Sequence, residues 1–278
     1  MPGKSLDPSS SPRALLGAEL RVARERAGLS QAELAERLFV SGSFIGQLES
    51  GTRRMHLDFA QQIDEILDTG GFFVRNCGAL AKSKYPNHFA EAAEAEAEAR
   101  SIREYAPLAL PGILQTEAYA REVFVAYQPT ATEEVIAELV KNRLDRAAIL
   151  SNPTTPLFWC VLDEAVLRRA VGSHAVMSEA LRHIAALIRV RRIFVQVLPF
   201  SAGAHSSMGG TLKLMDFEEA PPLAYIQGNA IGVLLDDPAT VARHSLTYDL
   251  LTASALSPSQ SLALIESVAE DYEHDQHA

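Results

Sequence analysis

LSQAELAERLFVSGSFIGQLESG, residues 29–51, is the stretch that decides how this chain is read. Ser30 stands ahead of a short apolar pattern and Glu33 follows three residues later, the S-x-x-E capping box that starts a helix. Leu34, Ala35 and Leu38 form the buried stripe of that helix, and small Ala35 lets a following helix approach closely. Ser41 caps the next helix, Ile45 and Leu48 face its core, and Ser50-Gly51 ends it. The result is a helix, a tight turn and a second helix that carries polar residues where a DNA major groove would read them.

Working outward, a first helix is predicted from Pro12 to Ala27, with Leu16, Leu20 and Ala23 on one face and Gly28 as its stop. Leu57, Ala60, Ile63 and Leu67 form a fourth amphipathic helix that closes the bundle. Residues 12–70 resemble the lambda-repressor (xenobiotic-response-element) type of helix-turn-helix domain, on the pattern S-Q-x-x-L-A … S-x-x-x-I-x-x-L-E-x-G.

The resemblance implies a double-stranded DNA operator as partner and assigns roles. Gln31 holds a phosphate and braces the reading helix. Ser41, Gly42, Ser43 and Gln47 lie at the start or on the outward face of that helix, Gln47 being suited to adenine N6/N7 and Ser43 to a base or a phosphate. Arg53 and Arg54 are placed for backbone phosphates. Phe44 has two readings, a contact to sugar or thymine methyl and a packing role. Arg24 and Glu49 match a pair that ties the first helix to the end of the reading helix, read here as a structural ion pair. The sequence departs from a strong reading helix at Gly42 and Gly46, which are poor helix formers and offer no side chain to a base. A single head of this kind binds weakly, so a homodimer reading two half-sites is expected.

Charge fits a head of this kind on a different body. The 278 residues carry a formal net charge of −10. Residues 1–56 hold eight Lys/Arg against six Asp/Glu, leaving 17 basic and 29 acidic residues to the rest. A basic head on an acidic body suits a DNA binder whose body stays off the DNA. Cys77 and Cys160 have no zinc spacing and make no disulfide framework, so no metal or other cofactor is expected. No apolar run reaches membrane-span length and residues 1–11 read as a loose, disordered tail, which together point to a cytoplasmic protein with no membrane partner.

The fold class expected is multidomain: an all-α head of four to five helices (12–70), a helical connector (71–156) and an α+β regulatory domain (157–278). In the connector the pattern HFAEAAEAEAEARSIREY (88–105) reads as one alanine-rich helix, Thr116 caps another, and a long helix spans about Thr132 to Leu150. Strands are expected at 157–163, 193–200, 211–218, 223–228 and 231–236, forming a small mixed sheet covered by helices. The helical run between the first two implies a parallel crossover, and two helices close the chain, the second started by Ser257-Pro258.

PGILQTEAYAR (111–121), VLDEAVLRRAVGS (161–173), VQVLPFSAGAH (195–205) and ALSPSQSLALIE (255–266) resemble the C-terminal domain of the WhiJ-type, antitoxin-like regulators of actinobacteria. That resemblance covers about 85–270 and implies a small partner protein encoded nearby. The long helix departs from the family's Arg-x-x-Arg-Gln, because Ala147 follows Arg143 and Arg146.

No catalytic motif is present, and the chain reads as a regulator and not an enzyme. Glu98, Gln115, Tyr119, Arg143, Glu164, Arg168 and His205 are candidates for a regulatory pocket or partner surface, the competing reading being a polar network that joins helices to sheet. Asp163-Glu164 and Asp236-Asp237 read as solvated turns. His205, beside Ser206 and Ser207 in a glycine-rich loop, lacks the frame of a serine hydrolase. A small-molecule sensor is the alternative function, and a DNA-linked enzyme ranks below it.

Overall fold

The computed structural model describes residues 12–77, 87–229 and 231–274, with the side chains of Pro12, Arg13, Asn87 and His88 left aside. The expected tail, 1–11, lies outside them. The chain divides into two compact units. One comprises residues 1–99, 215–225 and 232–242; the other comprises 100–214, 226–231 and 243–278.

The head follows the sequence closely. Its helices are α1 (Pro12–Arg26), α2 (Gln31–Arg37), α3 (Gly42–Glu49), α4 (Leu57–Leu67) and α5 (Phe72–Cys77). Ser30 and Glu33 form the full reciprocal capping box of α2, and the Ser41 hydroxyl accepts from Phe44 N at the start of α3. Leu16, Leu20, Leu34, Leu38, Ile45, Leu48, Ile63 and Phe73 share one core, which among the described residues draws on 16–77. Gly17 sets the α1–α3 crossing, because a Cβ there would meet the carbonyl oxygens of Leu48 at 2.5 Å and Glu49 at 2.7 Å. Buried Asp64 joins α5 to α4: its carboxylate accepts from Phe73 N at 3.0 Å and Val74 N at 2.8 Å, supplying the partners that a helix N-terminus lacks.

Helix α6 (Asn87–Glu98) lies in the same unit. The sequence reading continued it through Tyr105. Instead the chain forms β1 (Ser101–Ala106), paired in parallel with β2 (Leu157–Asp163), Ile102 opposite Phe158 and Tyr105 opposite Val161. The alanine-glutamate run ends at Ala99, and burial of Ile102 and Tyr105 on the sheet outweighs the remaining helix propensity.

Strand β3 (Ile193–Leu198) pairs in parallel with β2, so the expected crossover is present. With β4 (Thr211–Asp216), β5 (Leu223–Gly228) and β6 (Ile231–Leu235) the sheet has six strands in the order β3-β2-β1-β4-β5-β6. The fold class is therefore as expected, a helical head followed by a small mixed sheet with helices. In the second unit the helices are α7 (Glu117–Tyr127), α8 (Glu133–Ala147), the short α9 (Glu164–Arg168) and α10 (His174–Arg189), and α12 (Pro258–His274) lies over β3 and α10. Helix α11 (Pro238–Ser254) precedes α12. Phe158, Cys160, Val161, Val195 and Val197 are fully buried, as expected for parallel strands covered on both faces.

Candidate nucleic-acid interface

Helix α3 is held from behind by a buried polar brace. The Arg24 guanidinium forks onto the Glu49 carboxylate, with Nη2 donating to Oε2 at 3.1 Å, and it also donates to Leu29 O at 2.7 Å. Glu49 is fully buried. Its hydrogen bond to Arg24, opposed by burial, holds the arginine above its ordinary pKa. Gln31 Nε2 donates to the same carboxylate at 2.8 Å. Three elements, α1, α2 and α3, therefore meet at one carboxylate, which fixes the tilt of the reading helix. The Arg24–Glu49 pair has the buried geometry of the expected structural tie, and Gln31 has that of a brace.

The front of α3 departs from expectation. Gln47 lies between Ile45 and Leu48 in sequence but off their core-facing side, as an outward-reading residue should. Its side chain is nevertheless 0 % exposed. Gln47 Nε2 lies 3.5 Å from Ser43 Oγ, and Oε1 has no hydrogen-bond partner among the described residues. The expectation of an exposed base reader at Gln47 is thus corrected for this conformation: the front of α3 is covered. Ser43, Gly42 and Gly46 are half-buried. At Gly46 an added Cβ would find Gln31 Oε1 at an ordinary 3.5 Å, so packing does not demand the glycine.

Phe44 resolves toward packing. It belongs to the head core, with its ring 4.8 Å from Phe59. Its other role is as a platform, because the Arg53 guanidinium stacks on it at 4.3 Å from the ring centroid. Arg53 in turn meets two carboxylates, Asp236 at 3.1 Å and Glu91 at 3.5 Å. The Ser41 hydroxyl donates to the same Asp236 oxygen at 3.2 Å, and His56 Nε2 bonds Glu91. Asp236 is therefore not a solvated turn residue. Glu91 and His56 are marked by no motif, and Asp236 reads in sequence only as a turn residue; their distant partners give them meaning.

The candidates for a regulatory site do not assemble into one place. Gln115, Tyr119 and Arg143 do come together: Arg143 Nη1 donates to Gln115 Oε1 at 2.7 Å, Gln115 Nε2 to Leu110 O at 2.7 Å, and Leu110 N to the Tyr119 hydroxyl oxygen at 3.2 Å. Burial, aided by Arg146, pushes the Arg143 pKa down to about 10, and its guanidinium lies 4.1 Å from the Phe124 ring centroid. This network knits the 112–114 turn to α7 and α8, which is the structural reading.

Glu164 and Arg168 form a separate i, i+4 pair, and Glu164 also accepts from Phe200 N at 3.0 Å. Glu98, exposed at the end of α6, belongs to the other unit. His205 joins a third group. Ser207 N donates to its Nδ1 at 3.3 Å, so in the neutral ring Nε2 carries the proton toward the Tyr105 hydroxyl at 3.2 Å, and that hydroxyl donates to Asp163 at 3.2 Å. Burial and then Asp163 push the Tyr105 pKa up. Asp163 also caps α9 through Ala165 N, so it too is more than a solvated turn residue. Ser206 Oγ turns to Thr247 O and Ser207 Oγ to Gly210 O, so neither hydroxyl is aligned on His205 as a nucleophile.

Residues 89–267, more than half of the chain, match the family described as a domain of unknown function, DUF5753. The chain belongs to the DUF5753 family. A helix-turn-helix domain matches residues 15–71, in front of the DUF5753 region. No curated protein and no solved structure matches the chain. With the braced α2–α3 pair, the helix-turn-helix match makes this DUF5753 protein a DNA-binding regulator. Among the described residues no helix is long and apolar enough to cross a membrane, and no group of metal-binding side chains is present.

Proposed function

We propose that this DUF5753 protein is a sequence-specific transcriptional regulator that reads an operator through α3. The observation that carries the reading is the Arg24–Glu49–Gln31 brace, which fixes a second helix behind a capped turn, an arrangement of the kind that major-groove docking uses. Ser41, Ser43 and Gln47 supply groups for bases or the flanking phosphates, and Gln31, Arg53 and Arg54 take backbone phosphates. The DUF5753 region is the regulatory part, and its occupant is a small partner protein of antitoxin-like or developmental-switch type. The protein acts as a homodimer.

Gel-shift titrations on an operator selected from random duplexes test this. Gln47→Ala should relax preference at one base pair by about 1–3 kcal/mol. Arg54→Ala should weaken binding to all sequences and flatten the slope of log affinity against log salt by about one unit. Equal effects from the two changes would remove the assignment. Co-purification from the native host, read by mass spectrometry, tests the partner.

A further inference from the structure

The DNA-facing donors of the head are already occupied by carboxylates of the chain itself. Asp236 Oδ2 receives the Ser41 hydroxyl at 3.2 Å and stands 3.1 Å from Arg53 Nη1. Glu91 stands 3.5 Å from Arg53 Nη2 and bonds His56 through its other oxygen. The two acids come from positions far along the chain, α6 and the end of β6, yet lie in the same compact unit as the head. Ser41 caps α3, where an anion is favoured by the helix dipole. Arg53 is shelved on Phe44 at the exit of α3. A carboxylate pair that spans a helix start, an arginine and a histidine occupies the kind of donor set that otherwise grips successive phosphates.

Gln47 gives independent support. Its amide lies on the side of α3 away from the core, but is completely covered, and its carbonyl oxygen accepts no hydrogen bond from the described residues. A base reader buried with an unsatisfied acceptor is poorly placed for stability alone. Such a placement makes sense if this conformation is one of two.

We propose that Asp236 and Glu91 act as an internal phosphate mimic that holds the reading face of α3 closed, and that His56 is a further phosphate-binding residue of the open head. This rests on the DNA-reading role proposed above. DNA and the two carboxylates compete for Ser41, Arg53 and His56, so apparent affinity equals intrinsic affinity scaled by the fraction of open molecules. Because ion pairs hold the closed form, salt opens the protein while it weakens the DNA contact. The unmodified protein therefore shows a shallower salt dependence than a protein that cannot close.

The test uses the full-length chain with Asp236→Asn and Glu91→Gln together, near-isosteric changes that remove charge but keep shape, with folding checked by thermal melting. The variant should bind the selected operator at least about tenfold more tightly than the unmodified protein at low salt, with a steeper salt slope. His56→Ala placed in that open variant should weaken binding to all sequences, because closure no longer contributes. In parallel, adding operator to the unmodified protein should raise amide hydrogen exchange in 232–237 and lower it in α3.

Equal affinity and slope for the unmodified and neutralised proteins, with unchanged exchange in 232–237, would overturn the closure while leaving DNA reading intact. An unchanged affinity on His56→Ala would remove His56 alone. If neither protein binds any duplex, the regulator reading and the closure fall together.

Discussion

Phe39, in the turn between α2 and α3, adopts φ +56° and is 95 % exposed. A side chain with a Cβ in the left-handed region costs roughly 1–2 kcal/mol, and this one recovers nothing by burial. Phe39→Gly should therefore stabilise the head by about 1 kcal/mol, seen as a higher denaturation midpoint at unchanged slope. An unchanged or lower midpoint would show that the ring has an unrecognised contact. His56 offers a second test at this scale. Its hydrogen bond to Glu91, against the cost of burial, raises its pKa above the ordinary histidine value. Glu91 is pushed up by burial but held down on balance by His56 and Arg53. The His56 contribution is complete below the ordinary value near 6.5 and is lost as pH rises through the raised one. The Glu91 contribution is lost at the other end, as pH falls through its lowered value. A histidine-detected NMR titration should place the His56 midpoint above the ordinary value and return it toward that value in Glu91→Gln. A midpoint unmoved by that change would remove the contact from the closed state.

At the scale of elements, the legible parts of the chain were those with local causes. The capping box at Ser30, the cap at Ser41 and the stop at Gly28 depend on neighbours within four residues, and each is where the spacing puts it. The crossover between β2 and β3 followed from strand, helix and strand in sequence. Strand β1 was illegible because SIREYA carries only Ile102 and Tyr105 as large apolar anchors behind a strong helical run, and its partners, β2 at 157–162 and β4, lie far along the chain. The same logic hid Arg192, which sits outside every motif yet is nearly buried. Its guanidinium donates to the carbonyls of Ile149, Leu150, Thr155 and Pro156, at 2.7 to 3.3 Å, and closes the 148–156 segment onto β3. Burial lowers its pKa, but it keeps its charge at neutral pH. Arg192→Met should keep the packing volume and strand these acceptors, destabilising the second unit by about 2–4 kcal/mol. Denaturant unfolding, read from Trp159 fluorescence, checks this; a loss under about 0.5 kcal/mol would mean that solvent takes over the carbonyls.

At the scale of the whole molecule, the candidate interface was half legible. Ser41, Arg53, Gln31 and Arg24–Glu49 were marked by the head's own pattern and stand at the helix-turn-helix. What pairs with Arg53 was not legible, since Glu91 and Asp236 resemble any surface acids until the chain folds back. The candidate regulatory residues fared less well, because a shared resemblance says nothing about shared location, and they fall into separate networks. For a homodimeric regulator, footprinting on the selected operator should show two protected half-sites with centres about 10–10.5 base pairs, or a multiple of that, apart. A single protected half-site at saturation would argue for a monomeric reader.

Among the described residues the head's core draws on 16–77, whereas Asp236 lies more than 150 positions further along. During synthesis at about 5–20 residues per second, the helix-turn-helix leaves the ribosome on the order of ten to thirty seconds before Asp236 exists. Each newly made copy thus passes through an interval in which Ser41 and Arg53 lack their Asp236 partner. Where transcription and translation share one compartment, that interval falls close to the DNA that encodes the protein. On the closure proposed above, such a regulator would meet DNA unrestrained while young and be restrained only when complete, and the rate of synthesis would then be an input to its control.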